Sequence, residues 1–321
     1  METIWDLGVQ WIVALQGLGD WLTAPMEFFS FLGTEDFFML CLPVIYWCIN
    51  SQLGIQVAFI LMFSDCLNGG LKLVFHGPRP YWYSEAVKGL AAETSFGVPS
   101  GHSQTAVSIW GMVAVWLRKG WVWLLVVLVI FLIGFSRMYL GVHFPHDVLL
   151  GWSVGALLLL LVVGLWGRGA AWLRKRTAAQ QVLVAFLVSL AMILFVAIPY
   201  FWLTTGGWQP PAAWAEFAGE AVTMEGSLTT AGTLFGLAVG LVWLEKLGGF
   251  KTSGPFWQLV LRTLLGLIGV LAIRYGLKFI FPEGDGFLPY SLRYLRYAFI
   301  GAWVSGGAPW AFLRLKLAEK A

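Results

Sequence analysis

The sequence predicts an all-α, polytopic membrane helix bundle, and two observations carry that prediction. Of 321 residues, 59% are hydrophobic and 12% charged, with a mean hydropathy of +0.78, against roughly 25% charged in a soluble domain. The apolar residues also gather into runs: 121–135, 148–166 and 182–203 approach or reach the roughly 20 residues needed to cross a hydrocarbon core. Such runs must be helical, because backbone polar groups in lipid have to be satisfied within the segment.

Residues 1–34 set Ile4, Leu7, Trp11, Leu15, Leu18 and Leu22 at helical spacing with Asp6, Gln10, Gln16 and Asp20 between them. That is the pattern of an amphipathic helix lying in the membrane interface. With no cationic leader and no cleavage site, it does not read as a signal peptide. A first span at 37–49 is short and interrupted by Pro43. Clearer spans follow at 53–75, 102–117, 121–141, 146–167, 181–204, 228–244, 256–281 and 294–313, giving nine. The 38 glycines form no linker and no repeat. Their most specific pattern is Gly232-x3-Gly236-x3-Gly240, a small-residue stripe that favours packing within the chain over a homo-oligomer face. Cys41, Cys48 and Cys66 have no metal-ligand spacing and sit in apolar stretches, where they read as packing residues. A net charge of +3, scattered along the chain, gives no reason to expect a nucleic-acid partner.

Three polar runs interrupt this apolar background. One reads K-x6-R-P and supplies Lys72 and Arg79, the second reads P-S-G-H and ends on Ser100, Gly101 and His102, and the third reads S-R-x5-H-x3-D and supplies Arg137, His143 and Asp147. Placed on the hydropathy spans with alternating direction, all three fall on one membrane face. The opposite face carries twelve Lys and Arg residues, the motif face the other eight. The motif face is therefore expected to point away from the cytoplasm.

In this order and at these intervals the runs match the three-part signature of the type-2 phosphatidic acid phosphatase superfamily, with every position filled. The resemblance covers roughly residues 37–167. It implies a six-helix core with a histidine phosphatase site, no metal and no cofactor. The expected division is then an interfacial segment at 1–34, the phosphatase core at 35–204 and a three-helix extension at 205–321. The nine-span layout is more specifically similar to glucose-6-phosphatase, as are the runs FHGPRPYWY, ETSFGVPSGH, SRMYLGVHFPH and GTLFGL. At the last motif position this chain has Asp147, as the lipid phosphatases do, where glucose-6-phosphatase has glutamine. No N-x-S/T sequon occurs, which fits a bacterial inner membrane with the site facing the periplasm.

The residue chemistry suits phosphoryl transfer. A phosphate monoester needs concentrated positive potential and donors aimed at its oxygens. Arg79 and Arg137 offer guanidinium forks, Lys72 a point charge, and Ser100-Gly101 open a helix whose amides face an anion. His143 is the expected nucleophile, oriented by Asp147 four residues on, and His102 the acid for the leaving alkoxide and then the base for water. Arg274, Lys278, Arg293 and Arg296 read as snorkelling cations, His76 and His146 as loop or supporting residues. Asp65 and Asn68 serve either the site or an interhelical hydrogen bond. The expected substrate is a lipid phosphate or diphosphate, because Tyr81, Trp82 and Tyr83 suit a headgroup interface and the 81–98 loop has few hydroxyl-binding groups. A sugar phosphatase is the alternative. A transporter that only binds phosphate is a further one, although no paired halves are visible.

Overall fold

The computed structural model describes residues 3–282, 284 and 286–321. Among them the regular structure is helical: α1 (Ile4–Gln16), α2 (Thr23–Phe31), α3 (Glu35–Val44), α4 (Ser51–Phe75), α5 (Pro80–Tyr83), α6 (Gly101–Leu117), α7 (Gly120–Tyr139), α8 (Pro145–Arg174), α9 (Ala178–Thr205), α10 (Ala215–Ala221), α11 (Glu225–Lys246), α12 (Phe256–Ile280), α13 (Phe287–Ala302) and α14 (Ala308–Arg314). Six stretches are long and apolar enough to cross a membrane: Ser51–Tyr83, Gly120–Tyr139, Pro145–Arg174, Ala178–Thr205, Ala212–Lys246 and Phe256–Ile280. Leu124, Leu160 and Ile198 on these helices are 75%, 70% and 72% exposed, as lipid-facing side chains would be.

Nine spans were expected, and the shortfall has local causes. The first becomes half of a bent pair, Asp20–Phe31 with Glu35–Ile49 at 47°. Pro43 lies inside α3 and a single π turn, Ile45–Ile49, follows it, because proline removes a hydrogen bond and crowds the preceding turn. Helix α6 is 17 residues and spends its first turns on Ser103, Gln104, Thr105 and Ser108. Helix α13 carries Arg293 and Arg296.

The chain divides into two compact units. Unit 1 comprises Met1–Phe38, Leu67–Val163 and Val196–Met224, and unit 2 Met39–Cys66, Gly164–Phe195 and Glu225–Ala321. In unit 1, α1 is capped reciprocally by Thr3 and Asp6. It buries Gly8 and Ile12, with Gly8 against Phe144, while Ile4 and Trp11 stay 61% and 65% exposed. Gly151 and Gly155 of α8 lie against the backbone carbonyls of Ser100 and Gln104, which brings the first turn of α6 beside that of α8.

Unit 2 is held by close backbone approach and by one buried cation. Gly232, Gly236 and Gly240 pack α11 onto Tyr294, Ala298 and Ala302 of α13, so the stripe is used within the chain. Arg262, one of the twelve cations counted on the face opposite the motifs, is fully buried: it donates to the carbonyls of Leu317 (2.7 Å), Thr252 (2.8 Å), Ser253 (3.1 Å) and Lys251 (3.2 Å). Removing it from the charge count leaves eleven cations on that face, still an excess.

A Cβ at Gly236 would collide with the Ala298 carbonyl, which is backbone and cannot rotate away. Gly236→Val is expected to destabilise unit 2 by about 1–3 kcal/mol, the usual cost of overpacking. Gly226→Ala, whose Cβ would meet nothing within 4 Å, is expected to melt no lower than the parent. Thermal unfolding in detergent checks both, and equal melting temperatures for Gly236→Val and the parent would contradict the packing.

Candidate active site

Helix ends of unit 1 bring the polar runs together. Lys72 stands in the last turn of α4, Arg79 caps α5, Ser100 caps α6, Arg137 lies in the last turn of α7, and Asp147 in the first turn of α8. Arg79, Ser100 and Asp147 have no exposed surface, and Arg137 and His143 have 2% and 1%. Buried charge is tolerated only where partners surround it, and here they do. Arg79 donates from Nε to the Ser95 carbonyl (2.6 Å), from one terminal nitrogen to the Val142 carbonyl (3.0 Å), and from the other to Ser95 Oγ (3.0 Å) and the Phe96 carbonyl (3.4 Å). Lys72 Nζ donates to the same Ser95 Oγ at 2.6 Å.

His143 lies between a cation and an anion. Its Nε2 is 3.3 Å from Arg79 Nη1, and its Nδ1 is 3.4 Å from Asp147 Oδ2. A guanidinium only donates, so the Arg79 contact leaves the Nε2 lone pair on that side and puts the proton of the neutral ring on Nδ1, toward Asp147. Asp147 Oδ2 is fixed by the Phe144 amide at 2.9 Å, and its Oδ1 is 3.2 Å from His146 Nε2. His143 is buried, and Arg79, Lys72, Arg137 and His102 add positive potential around it. Both effects hold its imidazole neutral, well below the usual histidine pKa.

The P-S-G-H run is built differently from the sequence expectation. The Ser100 amide, expected to face an anion, donates to the Asp147 carbonyl at 3.0 Å. Its hydroxyl accepts from Ser103 Oγ at 2.9 Å and caps the helix through the Ser103 amide at 3.4 Å. The amides of Gly101 and His102 are left as the forward donors of that turn. The space a side chain at 101 would take belongs to Asn68, whose Oδ1 would be 3.0 Å from a Cβ there. Asn68 in turn donates to the Pro99 carbonyl (3.2 Å) and to Gln104 Oε1 (3.0 Å), so it joins α4 to the start of α6. His102 is half-buried, with its ring against Gly33.

Three residues of this cluster lie outside the three polar runs. Ser95 links Lys72 to Arg79. Ser30 of α2 accepts from Arg137 Nη1, and Glu93 accepts from Arg137 Nη2 while its other oxygen is 3.6 Å from Arg79. Burial opposes the Glu93 charge, but Arg137, Arg79, His102 and Lys72 outweigh it and bring its pKa down to about 2. Glu93 also lines an open cavity with Thr94, Trp82, Glu216, Phe217 and Glu220. Trp82, expected at a lipid interface, is 4% exposed and stacks on Phe217 at 5.4 Å. Among the described residues, no group of three His, Cys, Asp or Glu side chains is arranged to hold a metal ion.

Residues 53–171 match the family model described as PAP2 superfamily, and residues 228–320 the one described as PAP2 superfamily phosphatase, transmembrane extension. Phosphatidylglycerophosphatase B of Bacillus subtilis (strain 168) is 31% identical over 157 residues, 45% of this chain and 75% of that protein. Glucose-6-phosphatase 3 of Mus musculus is 28% identical over 352 aligned positions, 97% of this chain and 95% of that protein. Its Bos taurus counterpart is 29% identical over 234, and there the chain spans 64% of the relative's length.

If neighbouring cations hold His143 neutral, removing one should let it protonate more readily. In Lys72→Met the His143 imidazole is expected to titrate at higher pH than in the parent, read by NMR of isotopically labelled histidine in this four-histidine chain. A midpoint that stays put or falls would contradict the electrostatic account.

Proposed function

Since the chain belongs to the PAP2 superfamily, we propose that it is an integral membrane phosphatase that hydrolyses a phosphate ester through a phosphohistidine on His143. The observation that carries this reading is the polarised His143 ring, with Nδ1 on Asp147 and the Nε2 lone pair facing Arg79. Phosphorus would approach Nε2 as Arg79 Nη1 shifts from that nitrogen to a phosphate oxygen, with the other oxygens drawn to Lys72, Arg137 and the Gly101 and His102 amides. The Nε2–P bond forms as the P–O bond to the leaving group breaks, and His102, protonated once the bound phosphate dianion offsets the Lys72, Arg79 and Arg137 charges, gives its proton to the departing alkoxide. Asp147 stabilises the imidazolium character that develops on His143. His102, now neutral, takes a proton from water as the water oxygen attacks phosphorus, which releases phosphate and restores both rings.

The leaving group separates two substrate readings. A site at helix ends lies near headgroup depth, and phosphatidylglycerophosphatase B of B. subtilis is among the relatives, which supports a lipid phosphate. The cavity beside Glu93 supports a sugar phosphate instead, and it is the reading the geometry favours. Its carboxylates Glu93, Glu216 and Glu220 accept hydrogen bonds from hydroxyls and would be costly to desolvate against an acyl chain. The aromatic turn assigned to a lipid interface is packed inward at Trp82.

One trapping experiment addresses mechanism and substrate together. Purified protein is offered radiolabelled phosphatidic acid, undecaprenyl phosphate and glucose 6-phosphate, quenched, and assayed for acid-labile, base-stable phosphate on the chain. His102→Ala is expected to accumulate it and His143→Ala to carry none and turn over nothing. The kcat/KM for glucose 6-phosphate is expected to exceed that for either lipid. Parent-like hydrolysis by His143→Ala removes the nucleophile assignment, and a higher kcat/KM for a lipid transfers the substrate to the lipid class.

The excess of cations on the opposite face supports an active site on the non-cytoplasmic side. Glu85 and Lys119 are both exposed. In a background free of Cys41, Cys48 and Cys66, a cysteine at Glu85 is expected to react with an impermeant thiol reagent from outside, and one at Lys119 only after lysis. The reverse pattern would invert the topology.

A further inference from the structure

Arg137 is buried to 2% exposure, and its three nitrogens meet different fates. Nη1 donates to Ser30 Oγ, Nη2 donates to Glu93 Oε1, and Nε, though shielded from solvent, has no partner. Buried donors are rarely left unsatisfied, and this one lies in a site read above as a phosphate cradle. The side chain is not loosely held. Both ends of its fork are gripped, by a helix on one side and by the 84–100 loop on the other, which leaves one N–H on offer.

Arg79 shows a parallel arrangement. Its Nε and its terminal nitrogens are taken by the carbonyls of Ser95, Val142 and Phe96 and by Ser95 Oγ, and the contact left facing the reaction centre is the one toward His143. Glu93 touches both guanidiniums, 3.6 Å from Arg79 and in direct contact with Arg137. Two like charges in a shielded site repel, and a carboxylate between them offsets that repulsion. It also fixes the angle of the planar fork, as carboxylates do for arginine.

We propose that Glu93 and Ser30 are positioning residues that grip Arg137 by its terminal nitrogens so that its Nε–H is presented to a phosphate oxygen. The inference rests on the reading of this cluster as a phosphate site. It narrows the role of Arg137 from a bidentate fork, as the sequence suggested, to a single directed donor. Glu93 itself is placed to touch Arg137 and Arg79 and not the phosphate.

The test measures anion binding apart from turnover, with orthovanadate as the probe on the full-length chain in detergent. Glu93→Ala is expected to weaken vanadate binding about tenfold or more, the scale of one charge-assisted hydrogen bond. Glu93→Gln should lose less, because its amide oxygen still accepts from Arg137. Acting through Arg137, Glu93→Ala should add little in an Arg137→Ala background, as coupled positions do. Ser30→Ala approaches the same fork from the other end and keeps the test open if Glu93→Ala cannot be purified. Melting temperatures close to the parent's, with weakened vanadate binding, separate positioning from general damage. Vanadate binding unchanged in both alanine variants, or a Glu93→Ala loss that persists in full without Arg137, would overturn the proposal. A chain with no phosphatase activity that nevertheless shows the coupled loss would sink the functional reading alone. A parent that binds no vanadate would remove both.

Discussion

Keeping Lys72, Arg79 and Arg137 charged, adjacent and nearly dry is the constraint that unit 1 answers. Isolated, each such charge would cost several kcal/mol to bury, and the three repel one another. A helix cannot supply the compensation, because its carbonyls are committed to its own ladder. The irregular 84–100 segment can, and it provides the Ser95 and Phe96 carbonyls, the Ser95 hydroxyl and the Glu93 carboxylate. The bend after Leu140 adds the Val142 carbonyl. Two stretches without regular structure are therefore what makes the cluster possible, and the helices deliver the cations to them.

The same constraint sets the histidine chemistry. The proposed attack requires a neutral imidazole, and the clustered cations disfavour the imidazolium of His143. Asp147 works in the opposite sense at the other ring nitrogen. Two bonds fix its position: the Phe144 amide holds one carboxylate oxygen, and its backbone carbonyl receives the Ser100 amide. That last bond joins the start of α8 to the start of α6, so the orientation of His143 and the placement of His102 are mechanically linked.

Spacing made much of this legible in advance. Lys72, Arg79, Ser100, Gly101, His102, Arg137, His143 and Asp147 stand at helix ends, and hydropathy places helix ends well. Ser30, Glu93 and Ser95 stand outside the three polar runs. They are ordinary polar residues in a helix face and a loop, and their roles follow from which guanidinium the fold brings to them. Arg262 misled for the complementary reason: its sequence surroundings resemble a cytoplasmic loop edge, while the carbonyls that bury it come from residues 251–253 and from Leu317, far along the chain. A short span interrupted by Pro43 was legible at α3, whereas the packing of Trp47, fully buried with its indole N–H on the Val304 carbonyl, was not.

On the proposed reading, phosphate chemistry and leaving-group selection fall to different stretches of chain. The cations and histidines lie between Lys72 and Asp147, whereas the outer wall of the neighbouring cavity comes from α10, with Glu216, Phe217 and Glu220. That wall is anchored from behind. Trp208 packs on Phe96 at 6.0 Å, Trp214 stacks on Trp82 at 6.5 Å, and Phe217 lies nearly parallel to Trp82 at 6°. Phe96 and Trp82 flank the segments that hold Arg79, so the wall and the phosphate cradle share one aromatic support. A change of residue on α10 could then alter which alcohol is accommodated without moving Arg79 or His143. On that reading the signature bears on the phosphoryl step and says little about the group the phosphate leaves, so the substrate is to be sought on α10 rather than in the signature.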